Sequence, residues 1–396
     1  MKRINPLSFV AMSTLILISV INMSCGRKPS VEIVEPEIKQ TTPKQKPVVK
    51  VFLENSGSMD GFMCAGSELK DDIYNYLSYV KDYSSKMELY YINSEVKEQT
   101  VQLSQYIHSL NPAAFQAAGG NRKFTNIPDL FRSVLDSVKS NTIAIYISDC
   151  ILDIPNQAAP DYLHITQTDV HNVFGDKIKD LKDLSVCIYK LESTFQGTYF
   201  FPKGGSQQYQ GKLPYYMFVI GSNAQLANLR KNVSDDKIKH GVKNYCAFSP
   251  AFESPATFMQ GNKPTSSIEL NTLRNGKFHF SVQTNLASSL QLDNVLTNVG
   301  NYTLTSNKIK IESIAPIMVE NSDYSHVIEF SILDEAFGNV VTLKRIAMPD
   351  WVKDANNSKG DKVTSNQTFG IEYIISGISD AFTSKYSATF KLNIKK

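Results

Sequence analysis

Apolar and polar positions alternate along this chain in two different rhythms. From about residue 48 to 235, short apolar runs are separated by stretches with helical spacing. Residues 48–53, VVKVFL, and 142–148, TIAIYIS, are nearly unbroken apolar runs of strand length, which predicts strands buried on both faces. Further strands are expected at 87–93, 184–191 and 215–220. Residues 68–85 place Ile73, Tyr76, Leu77, Val80 and Tyr83 on one stripe, and residues 126–138 do the same with Ile127, Leu130, Phe131, Val134 and Val138. Further helices are expected at 169–181 and 224–232, and a short helix or edge segment at 101–110. Strands alternating with helices predict a doubly wound, mostly parallel sheet.

From 266 to 396 the rhythm changes. Strand-like runs at 277–284, 308–314, 326–333, 340–346, 369–376 and 386–394 are separated by Asn, Asp, Ser and Gly. No helical stretch is expected among them, and the pattern predicts an all-β, immunoglobulin-like sandwich. Residues 236–265, with Pro250, Pro255 and Pro264, read as a connection. Residues 193–212 form an insertion with Phe195, Tyr199, Phe200 and Phe201, expected as a long hairpin or flap beside the first sheet. Trp351 is expected to cover one end of the sandwich.

The start of the chain has a separate character. Lys2 and Arg3 precede an apolar stretch at 7–23, and Ser24-Cys25-Gly26 follows. This reads as a signal peptide over 1–24, and it resembles a bacterial lipoprotein processing site that would leave Cys25 as an acylated first residue. Asn22 and Met23 depart from that pattern. An ordinary signal peptide or an uncleaved anchor is the alternative, and all of these readings put the folded part in the cell envelope, outside the cytoplasm. Residues 25–47 carry Pro29, Pro36, Pro43 and Pro47 among charged and amide side chains and are expected to be a flexible tether.

Charge narrows the partners. The chain carries 41 basic and 38 acidic residues, and without 1–24 the formal charge falls from +3 to +1. No basic face for nucleic acid is implied. The six His are scattered and no Cys-x-x-Cys occurs, so zinc has no ligand pattern.

Chemistry gathers after the first apolar run. Glu54, Ser56 and Ser58 bring a carboxylate and two hydroxyls at alternate positions to the end of a predicted strand, the edge where open α/β sheets hold ligands. Thr125 opens a predicted helix, where its hydroxyl also suits an N-cap. Asp149 follows the second buried run, with Asp153 as a nearby competitor. In this order the residues resemble the von Willebrand factor A (VWA) domain and its metal-ion-dependent adhesion site. The match runs over roughly 48–235 and rests on Ser56, Ser58, Thr125 and Asp149. Glu54 stands where that family has Asp, and Cys150 where it often has Gly. The resemblance implies Mg²⁺ (or Ca²⁺ or Mn²⁺) held by Glu54, Ser56, Ser58, Thr125 and Asp149, with an acidic side chain of a partner protein completing the coordination. It also implies that the strands ending at Glu54 and Ser148 are neighbours, so that Cys64 and Cys150 could meet as a disulfide.

Three functions follow as expectations. The first is an envelope lipoprotein acting as a metal-dependent protein-binding module. The second is a metal-independent scaffold that uses the sandwich. The third is a metal-dependent hydrolase using Glu54, Asp60 or Asp149. No His or Lys stands among residues 54–60 or at 125 and 149, so no nucleophile–base pair supports an enzyme.

Overall fold

The computed structural model describes residues 29–36, 45–123, 126–154, 159–270, 273–274, 277–319, 322–332 and 336–395. The predicted signal peptide, Cys25 and Thr125 lie outside the described residues. Among the described residues, no helix is long and apolar enough to cross a membrane.

The first domain is mixed α/β. Its seven-stranded sheet runs, in spatial order, Val96–Gln99, Lys86–Ile92, Val48–Glu54, Thr142–Ser148, Ser206–Ser222, Leu184–Phe200 and Asn244–Phe248. Val48–Glu54 pairs in parallel with Lys86–Ile92 on one side and Thr142–Ser148 on the other. All seven residues of Thr142–Ser148 are buried, as a strand covered on both faces requires. Alternate side chains feed two cores. Val49, Val51, Leu53, Ile143, Ile145 and Ile147 pack with Leu69, Ile73, Tyr76 and Leu77 of helix Glu68–Tyr83. Phe52, Ala144 and Tyr146 pack with Leu130, Phe131 and Val134 of helix Ile127–Asp136.

The sheet is less parallel than the sequence predicts. Leu184–Phe200 and Ser206–Ser222 form one continuous hairpin, paired from Leu184↔Ser222 to Phe200↔Ser206. Its short turn, with Gly204 and Gly205 at φ of 91° and 89°, forces antiparallel pairing and sets Ser206–Ser222 between two strands of the opposite direction. The expected insertion at 193–212 is thus the outer half of a hairpin whose inner half belongs to the sheet.

The second domain has two sheets. One holds Ser267–Glu269, Ser30–Val34, Tyr386–Lys395, Ala336–Lys344 and Tyr302–Leu304, with Phe252–Glu253 on Tyr386–Lys395. The other holds Lys263–Thr265, Ala256–Gln260, Lys277–Thr284, His326–Ile332 and Ile309–Pro316, with Leu273–Arg274 on Lys277–Thr284. One apolar cluster, including Val31, Phe280, Phe330, Val341 and Phe390, draws on strands of both sheets.

Three expectations are corrected here. Ser30–Val34 is not tether but a strand between Ser267–Glu269 and Tyr386–Lys395. Val31 and Ile33 alternate with Ser30 and Glu32, and Val31 is fully buried. This short period-two signal was hidden in a proline- and charge-rich neighbourhood. Second, the strand expected at 369–376 is helix Ile371–Ala381. Ile371, Ile374, Ile375 and Ile378 have helical spacing and are buried, while their β-branched chemistry suggests a strand. This helix joins the core of the first domain, against helix Ala159–Asp180. A Cβ on Gly377 would lie 2.4 Å from the Gln167 carbonyl oxygen, so glycine permits the close approach. Third, Trp351 covers the first domain, where its Nε1 donates to the Tyr245 carbonyl at 3.2 Å. Residues 266–396 are therefore not all β.

Among the described residues, several hydrogen bonds cross between the domains. Asn223 Nδ2 donates to Ser288 O at 2.9 Å, Arg230 Nη1 to Leu290 O at 2.7 Å, and Lys231 Nζ to Ser322 O at 2.9 Å.

Candidate functional site

The parallel register Val48↔Thr142 through Leu53↔Ile147 brings Glu54 level with the end of Thr142–Ser148. Glu54, Ser56 and Asp149 are buried at this carboxyl edge, and Ser58 is half-buried. Glu54 Oε2 accepts from the Tyr146 hydroxyl at 3.1 Å and from the Ser148 hydroxyl. The Ser56 and Ser58 hydroxyls are hydrogen-bonded at 3.0 Å. Asp149 Oδ1 accepts from the Ile151 amide at 3.1 Å, while Asp149 Oδ2 is buried without a hydrogen-bond partner.

The electrostatics follow from that arrangement. Burial, and then the negative charge of Glu54, push the Asp149 carboxyl up to about 8, against the pull of the Ser58 hydroxyl and the Ile151 amide. Both acids sit in one water-poor place, and the Glu54 charge disfavours ionisation of Asp149.

Cys150 turns the chain out of the strand at φ 56°, in the left-handed region. Its amide donates to the Ser148 hydroxyl at 2.8 Å. A non-glycine residue there costs roughly 1–2 kcal/mol, and Cys150 recovers part of this by complete burial. The same turn aims Asp149 inward.

Arg122 is the principal residue that sequence reasoning missed. Its Nε donates to Asn55 O at 2.7 Å, its Nη2 donates to Ser56 O at 3.1 Å, and it forms an ion pair with Asp60. Its own carbonyl accepts from the Gly57 amide at 2.9 Å. One side chain thus clamps the whole turn from 55 to 60. Burial raises the Asp60 carboxyl, opposed by the hydrogen bond and charge of Arg122. Asn55 is also new to the site: its Nδ2 donates to Phe115 O at 3.3 Å, and its Oδ1 is buried without a partner. The available signal was Gly119-Gly120 ahead of Arg122. Both glycines have positive φ (76° and 77°), and a Cβ on Gly120 would lie 2.1 Å from Asn93 Oδ1. These glycines swing a loop toward the site, and among the described residues it is Arg122 that they deliver.

The outer hairpin leans over this edge. Phe195 and Tyr199 are buried. A Cβ on Gly61 would lie 2.3 Å from the Phe195 ring, and one on Gly57 would lie 3.6 Å from Phe200. Pro202 O accepts from the Ile154 amide at 3.0 Å. Burial and then Asp149 push the Tyr199 phenol up to about 12. The hairpin is held by Glu68, which accepts from the Thr194 amide at 2.6 Å and pairs with Lys212. Burial raises the Glu68 carboxyl, but the Lys212 and Thr194 bonds outweigh it and bring the value down to about 2.

The expected Cys64–Cys150 disulfide is absent, and all four described cysteines are free. Cys64 caps the short turn Ser58–Met63, whose Met59, Phe62 and Met63 enter one core, whereas Cys150 enters the core on the other side of the sheet. Neighbouring strands bring the two loops to one edge but not to one face. Cys187 and Cys246 fail to pair for a related reason. Their strands are adjacent, but the register pairs Cys187 with Ala247 and Ile188 with Cys246, which puts the two thiols on opposite faces.

The edge therefore gathers Glu54, Ser56, Ser58 and Asp149, while Thr125 is outside the described residues. No group of three or more His, Cys, Asp or Glu suited to a metal occurs among the described residues. The set at this edge is of another kind, two carboxylates and two hydroxyls, all hard oxygen donors. No known family model matches the chain, and no curated protein matches it in sequence.

Proposed function

We propose that the protein is an envelope lipoprotein that binds another protein through a divalent cation at this edge, on a VWA-like domain followed by an immunoglobulin-like sandwich. The observation that carries the metal reading is Asp149 Oδ2. It is a buried carboxylate oxygen without a donor, in the field of a second buried carboxylate. Burial and the Glu54 charge hold this acid neutral near neutral pH, and a bound cation would favour its ionised form and take up the unpartnered oxygen. Ser56, Ser58 and Asp149 are the residues to hold Mg²⁺, with Ca²⁺ or Mn²⁺ as alternatives. Once bound, the cation would supply a Lewis-acid position for an acidic side chain of the partner.

The chain's own residues prepare for this. Tyr146 and Ser148 hold Glu54 in place, so its extra methylene relative to the family's Asp is absorbed by fixed hydroxyl donors. Its part is negative charge and orientation. Arg122 fixes the turn that carries both serines and pairs with Asp60. The parallel neighbours Val48–Glu54 and Thr142–Ser148, and the motif at their shared edge, support the VWA-like reading.

Affinity capture from envelope extract tests the proposal, with the mature chain as bait in Mg²⁺, in EDTA, and as Ser56→Ala/Ser58→Ala. A partner retained only by the unsubstituted bait in Mg²⁺ is expected. The same partners in all three lanes would move the binding surface elsewhere.

A further inference from the structure

The strand Ser30–Val34 changes what a lipid at Cys25 implies. Only Gly26, Arg27 and Lys28 separate Cys25 from Pro29, whose carbonyl already accepts from the Leu270 amide at 2.7 Å. An extended chain covers at most ~3.5 Å per residue, so an acylated Cys25 lies within roughly 14 Å of Pro29. A tether of the length expected from composition is not available on that side.

Strand registers show which end of the molecule this is. Ser30 pairs with Lys395, and Ile309 and Phe278 both pair with Ile332. Ser254 joins the two sheets, donating its amide to Thr389 O at 2.7 Å and sharing a 2.8 Å hydrogen bond with the Thr284 hydroxyl, so the starts of Ser30–Val34, Lys277–Thr284 and Ile309–Pro316 share the other end of the second domain with the close of Tyr386–Lys395. The opposite end carries Thr284, Pro316 and His326. The junction residues Ser288, Leu290 and Ser322 belong to that opposite end. On the first domain the junction is made by Asn223 and Arg230, just beyond the strand Ser206–Ser222. Ile220 of that strand pairs with Ala144, near the amino edge of the parallel strands. Glu54 and Asp149 lie at the carboxyl edge, on the other side of that sheet.

We infer that the Pro29–Lys395 end of the second domain rests against phospholipid headgroups, and that the molecule presents the Glu54–Asp149 edge away from the membrane. The inference rests on the lipoprotein reading of Cys25. Strands of seven and eight residues in the two domains put the edge on the order of 40–50 Å above the headgroups. Lys277, Lys308 and Lys395 lie at the resting end and suit anionic headgroups, but Glu32 and Glu269 accompany them. The short leash, rather than net charge, sets the orientation. The consequence for binding is that the partner is met from the aqueous side, not along the bilayer.

Energy transfer to a headgroup-labelled lipid tests this in the full acylated chain, reconstituted in phosphatidylethanolamine–phosphatidylglycerol vesicles. Donors are attached one at a time through Lys308→Cys at the resting end, Met318→Cys at the opposite end of the same domain, and Lys123→Cys beside the candidate edge. All use a Cys64→Ser background. The three positions are exposed, Met318 at 90%, so the labels leave the core intact. Transfer should fall in the order 308, 318, 123. A Gly/Ser insertion of about twenty residues between Lys28 and Pro29 should lower the value at 308 to that at 318. Equal transfer at the three positions of an acylated chain, or no response to the insertion, would overturn the inference. Intact mass separates the premise from the conclusion, because a mature chain without acyl groups on Cys25 removes the anchor and the orientation with it.

Discussion

Two buried polar clusters in this molecule solve opposite problems. At the domain junction, Arg230 meets Asp235 at 3.0 Å, lies over the Tyr245 ring at 4.6 Å and donates to Leu290 O. Tyr189 donates to Asp235 at 2.9 Å, and Tyr245 donates to Leu290 O at 2.6 Å. Opposite charges face each other, and the cluster holds two domains together. At the carboxyl edge, Glu54 and Asp149 put two acids in one buried place, so that Asp149 resists ionisation, and Asp149 Oδ2 has no donor. A cluster of opposite charges serves stability, even with Arg230 Nε left without a hydrogen-bond partner. A cluster that leaves a buried acid uncompensated gives up stability until something positive arrives.

That contrast breaks most visibly under substitution. Arg230→Met should destabilise the whole chain by about 3 kcal/mol, because the half-buried Asp235, the Leu290 carbonyl and the Tyr245 ring lose their cation. Chemical denaturation measures this. Asp149→Asn should do the reverse in metal-free buffer, leaving stability unchanged or raised, because it removes the cost of holding a buried acid protonated at neutral pH. The same variant should lose the cation's stabilising effect, which at a hundredfold excess over Kd amounts to about 2.7 kcal/mol. Thermal melts with and without Mg²⁺ compare the two.

The hairpin clamp gives a smaller, pH-dependent effect. The Glu68 carboxyl lies below its ordinary value when folded, so its contribution is present above about 4.5 and lost as pH falls toward about 2. With solvent screening this amounts to roughly 1 kcal/mol. Glu68→Gln should flatten that part of the stability profile and leave neutral-pH cation binding intact. The smallest effect is expected for Cys150→Gly. Cys150→Gly relieves the left-handed strain and loses a buried thiol, so the net change should stay within about 1 kcal/mol. Cys150→Val combines a β-branched side chain with positive φ and should cost more, by about 2 kcal/mol.

Much of the edge could be read in the chain because it is local. Val48–Glu54 and Thr142–Ser148 are apolar runs that nothing but a covered strand satisfies, and the residues that follow each run must emerge at its end. Arg122 could not be read this way. It sits in a Gly-Asn loop, and its importance comes from two carbonyls and a carboxylate more than sixty positions away. The disulfide expectation failed on facing. Strand adjacency could be anticipated, but which core each thiol enters is set by packing on both sides of the sheet. The helix Ile371–Ala381 and the strand Ser30–Val34 show the two common ways a local signal misleads. In the first, β-branched chemistry outweighed helical spacing, and in the second, composition averaged over a long window hid a five-residue alternation.

The most direct test is titration calorimetry of Mg²⁺ or Mn²⁺ into the mature chain at fixed pH, beside Asp149→Asn and Ser58→Ala. The account predicts saturable one-site binding by the unsubstituted chain, lost in the first variant and weakened at least tenfold, about 1.4 kcal/mol, in the second. No saturable heat for the unsubstituted chain, or binding that both variants retain, would contradict it.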